Sequence, residues 1–308
     1  MKVLARKQFL LSERFLACSG RPLDWARFLF HFREGSKDLV VDSLKAYQNA
    51  DGGFGHALEP DLRTPESSVL ATSIALKLLV ELGVEAENPV VRNTLDYLER
   101  TFDSERRIWL IAPEGLTKHA HAPWWGGEDL LQDFGGCLAN PRAQIVGALL
   151  FYQTTFDRSI LDKALDAVVT HLDRLSHTIE MHDLICYIYL FESPGLSDDL
   201  KKKMSQKLRR AVSSTISTEP EKWSGYAVKP LLFCHGPQSF LYDELKEVVN
   251  LNLDFEIQRW QDDGSWGPNW SWEEYNPEAW TAAKREWASH LTIETLLTLR
   301  NFGRIETR

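Results

Sequence analysis

Leu44-Lys45-Ala46-Tyr47-Gln48-Asn49-Ala50-Asp51-Gly52-Gly53-Phe54-Gly55 is a helical run that ends at a glutamine, turns through Asp-Gly and leaves on an aromatic residue. The same order returns near the other end of the chain as Ile257-Gln258-Arg259-Trp260-Gln261-Asp262-Asp263-Gly264-Ser265-Trp266-Gly267. The second copy is one residue tighter, with Asp263 matching Asp51 and Trp266 matching Phe54. Two copies near opposite ends predict a repeating helical array.

Helical periodicity recurs between them. Val69, Ile74, Leu78, Leu79 and Leu82 follow the start signal Pro65-Glu66-Ser67-Ser68 and stop at Gly83. Val91, Leu95 and Leu98 follow Asn88-Pro89 with polar residues on the other face, which is the pattern of an amphipathic outer helix. Ile145 to Tyr152, Leu184 to Phe191 and Leu291 to Leu299 are apolar nearly all round and read as buried inner helices. Ile160 to Leu175 and Asp198 to Ile216 carry charge on one face and read as outer helices. Alternating outer and inner helices, about five or six hairpins with almost no strand signal, predict an all-α chain of one domain over residues 1–308.

Composition narrows the function. A formal net charge of −9 opposes nucleic-acid binding, which needs clustered cations. The one basic run, Lys201 to Lys203 with Arg209 and Arg210, reads as a solvated helix face. The four cysteines are far apart, without a CxxC pair, so neither a disulfide framework nor a zinc ribbon is suggested. No segment has the ~20 apolar residues of a membrane span, and the N-terminus lacks a signal-peptide pattern, so a cytoplasmic location is expected. The outlier is tryptophan, with 11 residues, several in polar surroundings where an indole offers an apolar face and one donor.

The two Gln/Asp-Gly/aromatic segments resemble the QW motifs of squalene and oxidosqualene cyclases, and equally the repeats of protein prenyltransferase β subunits. The resemblance covers roughly residues 36 to 83 and 240 to 303. It implies an α/α toroid, with a small-molecule ligand of isoprenoid type in a central cavity and functional residues near the N-termini of the inner helices. On that implication the candidate ligand-facing residues are His119, His121, Trp124, Trp125, Trp223, Tyr226, Trp270 and Trp272. The candidate catalytic residues are Glu59, Asp61, His182, Asp183 and His290. Asp129 and His177 fall in the same loops, as do Arg63, Glu66, Glu273, Glu274 and Trp287.

The chemistry of that superfamily is not spelled out in this chain. The Asp-x-Asp-Asp acid motif of class II cyclases is absent, and so is the Asp-Asp-x-x-Asp magnesium motif of ionising synthases. Glu59-Pro60-Asp61 pairs two carboxylates whose mutual repulsion would raise one pKa, the alternative being a loop acid paired with Arg63. Asp183, Cys186 and His290 are similar to the prenyltransferase zinc set, but two residues rather than one separate the Asp from the Cys, and a buried Cys beside a capping Asp explains them as well. His182 is a substitute ligand there, and His119-Ala120-His121 is a loop pair open to metal, ligand or local hydrogen bonding. No particular cofactor or metal follows. Two alternatives stay open: a carbohydrate-active α/α barrel using Trp platforms with Glu59, Asp61, Asp183, Glu273 and Glu274, and a non-catalytic binding module.

Overall fold

The computed structural model describes residues 1–111, 115–126, 139–176 and 178–306. It is mostly helical, with one short ladder pairing Phe102–Asp103 against Ile108–Trp109. The chain divides into two compact units, residues 1–44 with 216–308, and residues 45–215. Among the described residues no helix is long and apolar enough to cross a membrane.

The first unit contains α1 (Arg6–Ser19), α2 (Pro22–Phe32) and most of α3 (Lys37–Lys45). Among the described residues the second unit carries, in sequence, α4 (Val69–Glu81), α5 (Pro89–Thr101), α6 (Arg142–Leu149), α7 (Arg158–Arg174), α8 (Met181–Glu192) and α9 (Asp198–Thr215). The first unit is completed by α10 (Tyr242–Gln258) and α11 (Pro277–Asn301).

In the second unit the alternation expected from periodicity is observed. Helices α4, α6 and α8 pack side by side, and α5, α7 and α9 each cover one of them. The inner three are buried on almost every side. The outer three bury one stripe each, such as Leu161, Ala164, Val168 and Leu172 of α7, and turn their charges to solvent. Starts are set by local chemistry. Ser68 accepts the Ala71 N–H, Asn88 the Val90 N–H ahead of Pro89, and Asp157 the Ile160 N–H, each satisfying a donor that the helix leaves unpaired.

The N-terminal ends of the inner helices are tied along one edge. Asn140 N–H donates to Asp183 at 2.8 Å, Arg142 donates through Nε and Nη2 to the Trp109 carbonyl, and Leu70 N–H donates to the Ile111 carbonyl.

The two quoted turns have the same internal bonding. Asp51 accepts Gly53 N–H at 3.0 Å, as Asp263 accepts Ser265 N–H at 2.9 Å. Phe54 N–H donates to the Thr72 hydroxyl of α4 at 3.0 Å, and Trp266 N–H to the Thr292 hydroxyl of α11 at 3.0 Å. Gly52 and Gly264 take φ of 88° and 95°, and each faces a backbone carbonyl of a covering helix, Asn93 in α5 and Leu11 in α1.

The equivalence corrects the glutamine alignment. Asn49 N–H bonds the Gly53 carbonyl and Gln261 N–H bonds the Ser265 carbonyl, so Gln261 stands where Asn49 stands. Trp260 then matches Gln48. Gln48 Nε2 reaches Thr94 of α5, and Trp260 Nε1 reaches Ser12 of α1 at 3.1 Å. The last turn of the chain is therefore covered by the first helix. The termini are joined beside it: Leu4 N–H donates to Arg304 O at 2.8 Å and Glu306 N–H to Leu4 O at 3.0 Å.

Candidate functional site

In the first unit the polypeptide after α9 and the loop after the Trp266 turn bring aromatic side chains onto α11. Tyr226 meets Trp270 edge-on with ring centroids 6.4 Å apart. Trp270 meets Trp287 at 5.0 Å, and Trp287 meets His290 at 5.7 Å. The run goes from an exposed end, where Tyr226 keeps 61% of its surface, to the partly accessible His290 ring on the next turn of the helix. Edge-to-face rings at these spacings hold one another and leave apolar ring surface for a ligand.

Behind His290 lies a buried ionic group between α2 and α11. Arg21 Nε donates to Asp24 at 2.7 Å, Arg27 stands 3.8 Å from the same carboxylate, and Arg27 Nη2 donates to Glu294 at 2.5 Å. Burial opposes the charge on Asp24, but the Arg21 charge and hydrogen bond, with His290 and Arg27, together outweigh it and hold the carboxyl below its ordinary range. Burial pushes His290 down to about 4 against the pull of Glu294 and Asp24. The imidazole is consequently neutral at pH 7.

Other aromatic candidates serve the core. Trp223 is fully buried, with its indole N–H donated to the Ser217 carbonyl at 2.9 Å and its ring on Phe255, so it offers no ligand-facing surface. Trp272 is also buried, against Trp280 at 5.5 Å. Ser271, Glu273 and Glu274 line an open depression of about 450 Å³.

In the second unit the loop at residues 55–68 pairs with residues 119–126. Leu62 and His121 form an antiparallel bridge, flanked by Arg63 N–H to Ala120 O at 3.0 Å and Ala122 N–H to Asp61 O at 2.8 Å. His56 and Ala57 both take the left-handed conformation, φ 55° and 59°, which is costly for residues with a Cβ and concentrates at working sites. Just after them the side chains of Glu59 and Asp61 are buried, at 9% and 3% exposure. His121 is buried too. Its Nδ1 donates to the His119 carbonyl at 2.7 Å, and a Cβ at Gly126 would stand 2.7 Å from its Nε2.

His119 Nε2 is 3.3 Å from Glu66, whose carboxyl is held low first by the Thr64 hydroxyl. Trp125 is buried and Trp124 is 45% exposed. The sequence-selected residues Glu59, Asp61, His119, His121 and Trp125 are thus brought into one loop pair.

The Asp183 group is organised as helix-end chemistry. Asp183 accepts Asn140 N–H, and burial raises its pKa. Cys186 is buried, its thiol pushed up to about 12, first by desolvation, and its sulfur lies 3.8 Å from Asn140 Oδ1. His182 is exposed and bonds Glu180, the residue that caps α8. Among the described residues no group of three or more His, Cys, Asp or Glu side chains is placed to hold a metal ion. Asp129 and His177 lie outside the described residues.

The partners of His290 were missed by sequence reading. Their signal was present: Arg21 immediately precedes Pro22-Leu23-Asp24-Trp25-Ala26-Arg27-Phe28-Leu29-Phe30, an otherwise apolar stretch in which Asp24 and Arg27 follow it at i+3 and i+6. No protein-family model and no curated protein matches the chain.

Proposed function

We propose that this chain is an α/α toroid that holds an elongated, isoprenoid-like apolar ligand against the aromatic run of its first unit. One observation carries the ligand reading: Tyr226, Trp270, Trp287 and His290 form a continuous series of ring contacts from an exposed ring to a half-buried neutral imidazole. Apolar ring faces bind hydrocarbon by removing it from water, at roughly 25 cal/mol per Å² of surface. The toroid reading is supported by the inner and outer helix layers of the second unit and by α1 covering the last turn of the chain.

The test is thermal stability of the purified protein with C15 to C30 isoprenoids and with oligosaccharides. A ligand at 100 times its dissociation constant adds about 2.7 kcal/mol, enough to shift the transition. The expected result is a shift with isoprenoids that Trp270→Ala removes. No shift, or one that survives Trp270→Ala, rejects the site.

A carbohydrate-active reading is favoured by one feature, the carboxylates Glu273 and Glu274 lining an open depression next in sequence to Trp270. A stability shift with oligosaccharides alone selects it. Catalysis is proposed separately for the loop pair of the second unit, at Glu59 and Asp61, the buried carboxylates beside a strained backbone. Glu59→Gln and Asp61→Asn are expected to retain ligand binding and lose product formation; full turnover in both rejects the assignment.

A further inference from the structure

We propose that the ligand of the aromatic run presents an uncharged oxygen, a hydroxyl or a carbonyl, to Trp287 and His290, and is not a prenyl diphosphate. The inference deepens the isoprenoid reading and rests on it.

Trp287 and His290 stand three residues apart on α11 and so share a face of the helix. The Trp287 indole N–H is buried and has no acceptor among the described residues. A buried donor without a partner costs about 1–3 kcal/mol, so a ligand oxygen placed there recovers a real deficit. The ring of His290 stands beside the indole, with its centroid 5.7 Å from that of Trp287. Its neutral form offers one donor and one acceptor. A hydroxyl accepts from the indole and donates to the imidazole. A carbonyl accepts from both.

Charge argues against a diphosphate. Two cations lie behind His290, Arg21 and Arg27, and both are joined to acids: Arg21 to Asp24 and Arg27 to Asp24 and Glu294. Two positive and two negative side chains leave no net charge. On the Tyr226 side, at the outer end of the run, Lys229 and Arg259 share Glu256 at 2.7 and 3.3 Å, and Lys284 and Arg285 of α11 are exposed. A diphosphate moved to the inner end of the run would lose its hydration for no uncompensated cation.

The experiment compares farnesene, farnesol and farnesyl diphosphate by isothermal calorimetry on the full chain. The three share one hydrocarbon skeleton length and differ at the polar end. Farnesol is expected to bind about tenfold more tightly than farnesene, with the diphosphate no tighter than farnesol. Trp287→Phe keeps an aromatic ring and removes the donor. It should weaken farnesol about 2- to 12-fold more than it weakens farnesene, the range of one hydrogen bond. A diphosphate that binds tenfold more tightly than the alcohol overturns the proposal while leaving the apolar-ligand reading intact. Equal binding of farnesene and farnesol by the native protein does the same without any variant. Binding of none of the three overturns the ligand site itself, and the inference with it.

Discussion

The Thr292 hydroxyl accepts the backbone N–H of Trp266 at 3.0 Å, and it donates in turn to the Ala288 carbonyl of its own helix at 2.6 Å. Thr72 does the same for Phe54, donating to Ser68 O at 2.7 Å. One hydroxyl thereby fastens each aromatic turn to a helix, α4 in the first copy and α11 in the second. Both threonines are fully buried, so water cannot replace the bond. Thr72→Val and Thr292→Val keep the shape and strand one backbone donor each, which is expected to cost about 1–3 kcal/mol in urea unfolding. A loss below about 0.5 kcal/mol at either position would remove the hydroxyl from the account of the turn.

The turn glycines should be far less replaceable than another glycine of the same backbone conformation. A Cβ on Gly52 would stand 2.1 Å from Asn93 O, and one on Gly264 2.4 Å from Leu11 O. At Gly83, φ 58°, nothing lies within 4 Å. Gly83→Ala should therefore cost only the left-handed backbone, about 1–2 kcal/mol. Gly52→Ala and Gly264→Ala add a backbone collision and should exceed about 3 kcal/mol or fail to fold. Equal losses at all three positions in chemical denaturation would show that close approach is irrelevant.

Acid should weaken the first unit through His290. The His290 pKa falls from 6.5 to about 4 on folding, first by desolvation. The unfolded chain takes up its proton near pH 6.5 and the folded protein only near 4, so stability is lost as pH falls through that window. A shift of this size corresponds to about 3 kcal/mol at 1.36 kcal/mol per unit, reduced to about 1–2 kcal/mol because the ring keeps solvent access. The charged groups facing the ring are Arg21, Asp24, Arg27 and Glu294. Asp24, held low, loses its contribution only below its ordinary 3.8. His31, also lowered to about 4 by burial and then by Arg300, adds in the same direction. Asp183, raised by burial, acts the opposite way and is untouched by a change at 290. Stability of His290→Gln measured at pH 7 and pH 4.5 should show a drop about 1–2 kcal/mol smaller than native. An unchanged drop would place the titration elsewhere.

Helices with a strong period were legible before any coordinates. Val69 to Leu82, Leu184 to Phe191 and Ile160 to Leu175 are found as α4, α8 and α7 because burial on one or all sides leaves a direct mark on composition. The turn match of Asp51 with Asp263 and Phe54 with Trp266 was legible too. The glutamine match was not, since Gln48 and Gln261 share a side chain while Asn49 and Gln261 share a backbone position. In the site, the loop residues could be selected by type, and Trp223 shows the limit of that method: an indole in a polar stretch is a core residue once its N–H finds Ser217. Long-range pairs such as Arg27 with Glu294, 267 residues apart, leave only an isolated charge on an apolar helix.

The N-terminal tail should be an integral part of the fold, where chain ends ordinarily fray. Leu4 is fully buried, and its backbone exchanges two hydrogen bonds with Arg304 and Glu306. Arg304 in turn donates to the Lys2 carbonyl at 2.5 Å and to Asp254 at 2.8 Å, and Lys2 N–H donates to Asp254 at 2.6 Å. Leu4→Ala removes a buried side chain and is expected to cost about 2–5 kcal/mol, depending on how far the site collapses. Deleting residues 1–5 removes the backbone pairing as well, and frees the end of the α1 helix that covers Gly264 and Trp260. Amide exchange in the deletion variant should therefore accelerate at residues 260–266 and 302–306 together. Exchange that speeds up only at residues 302–306 would show that α1 holds the last turn without the tail.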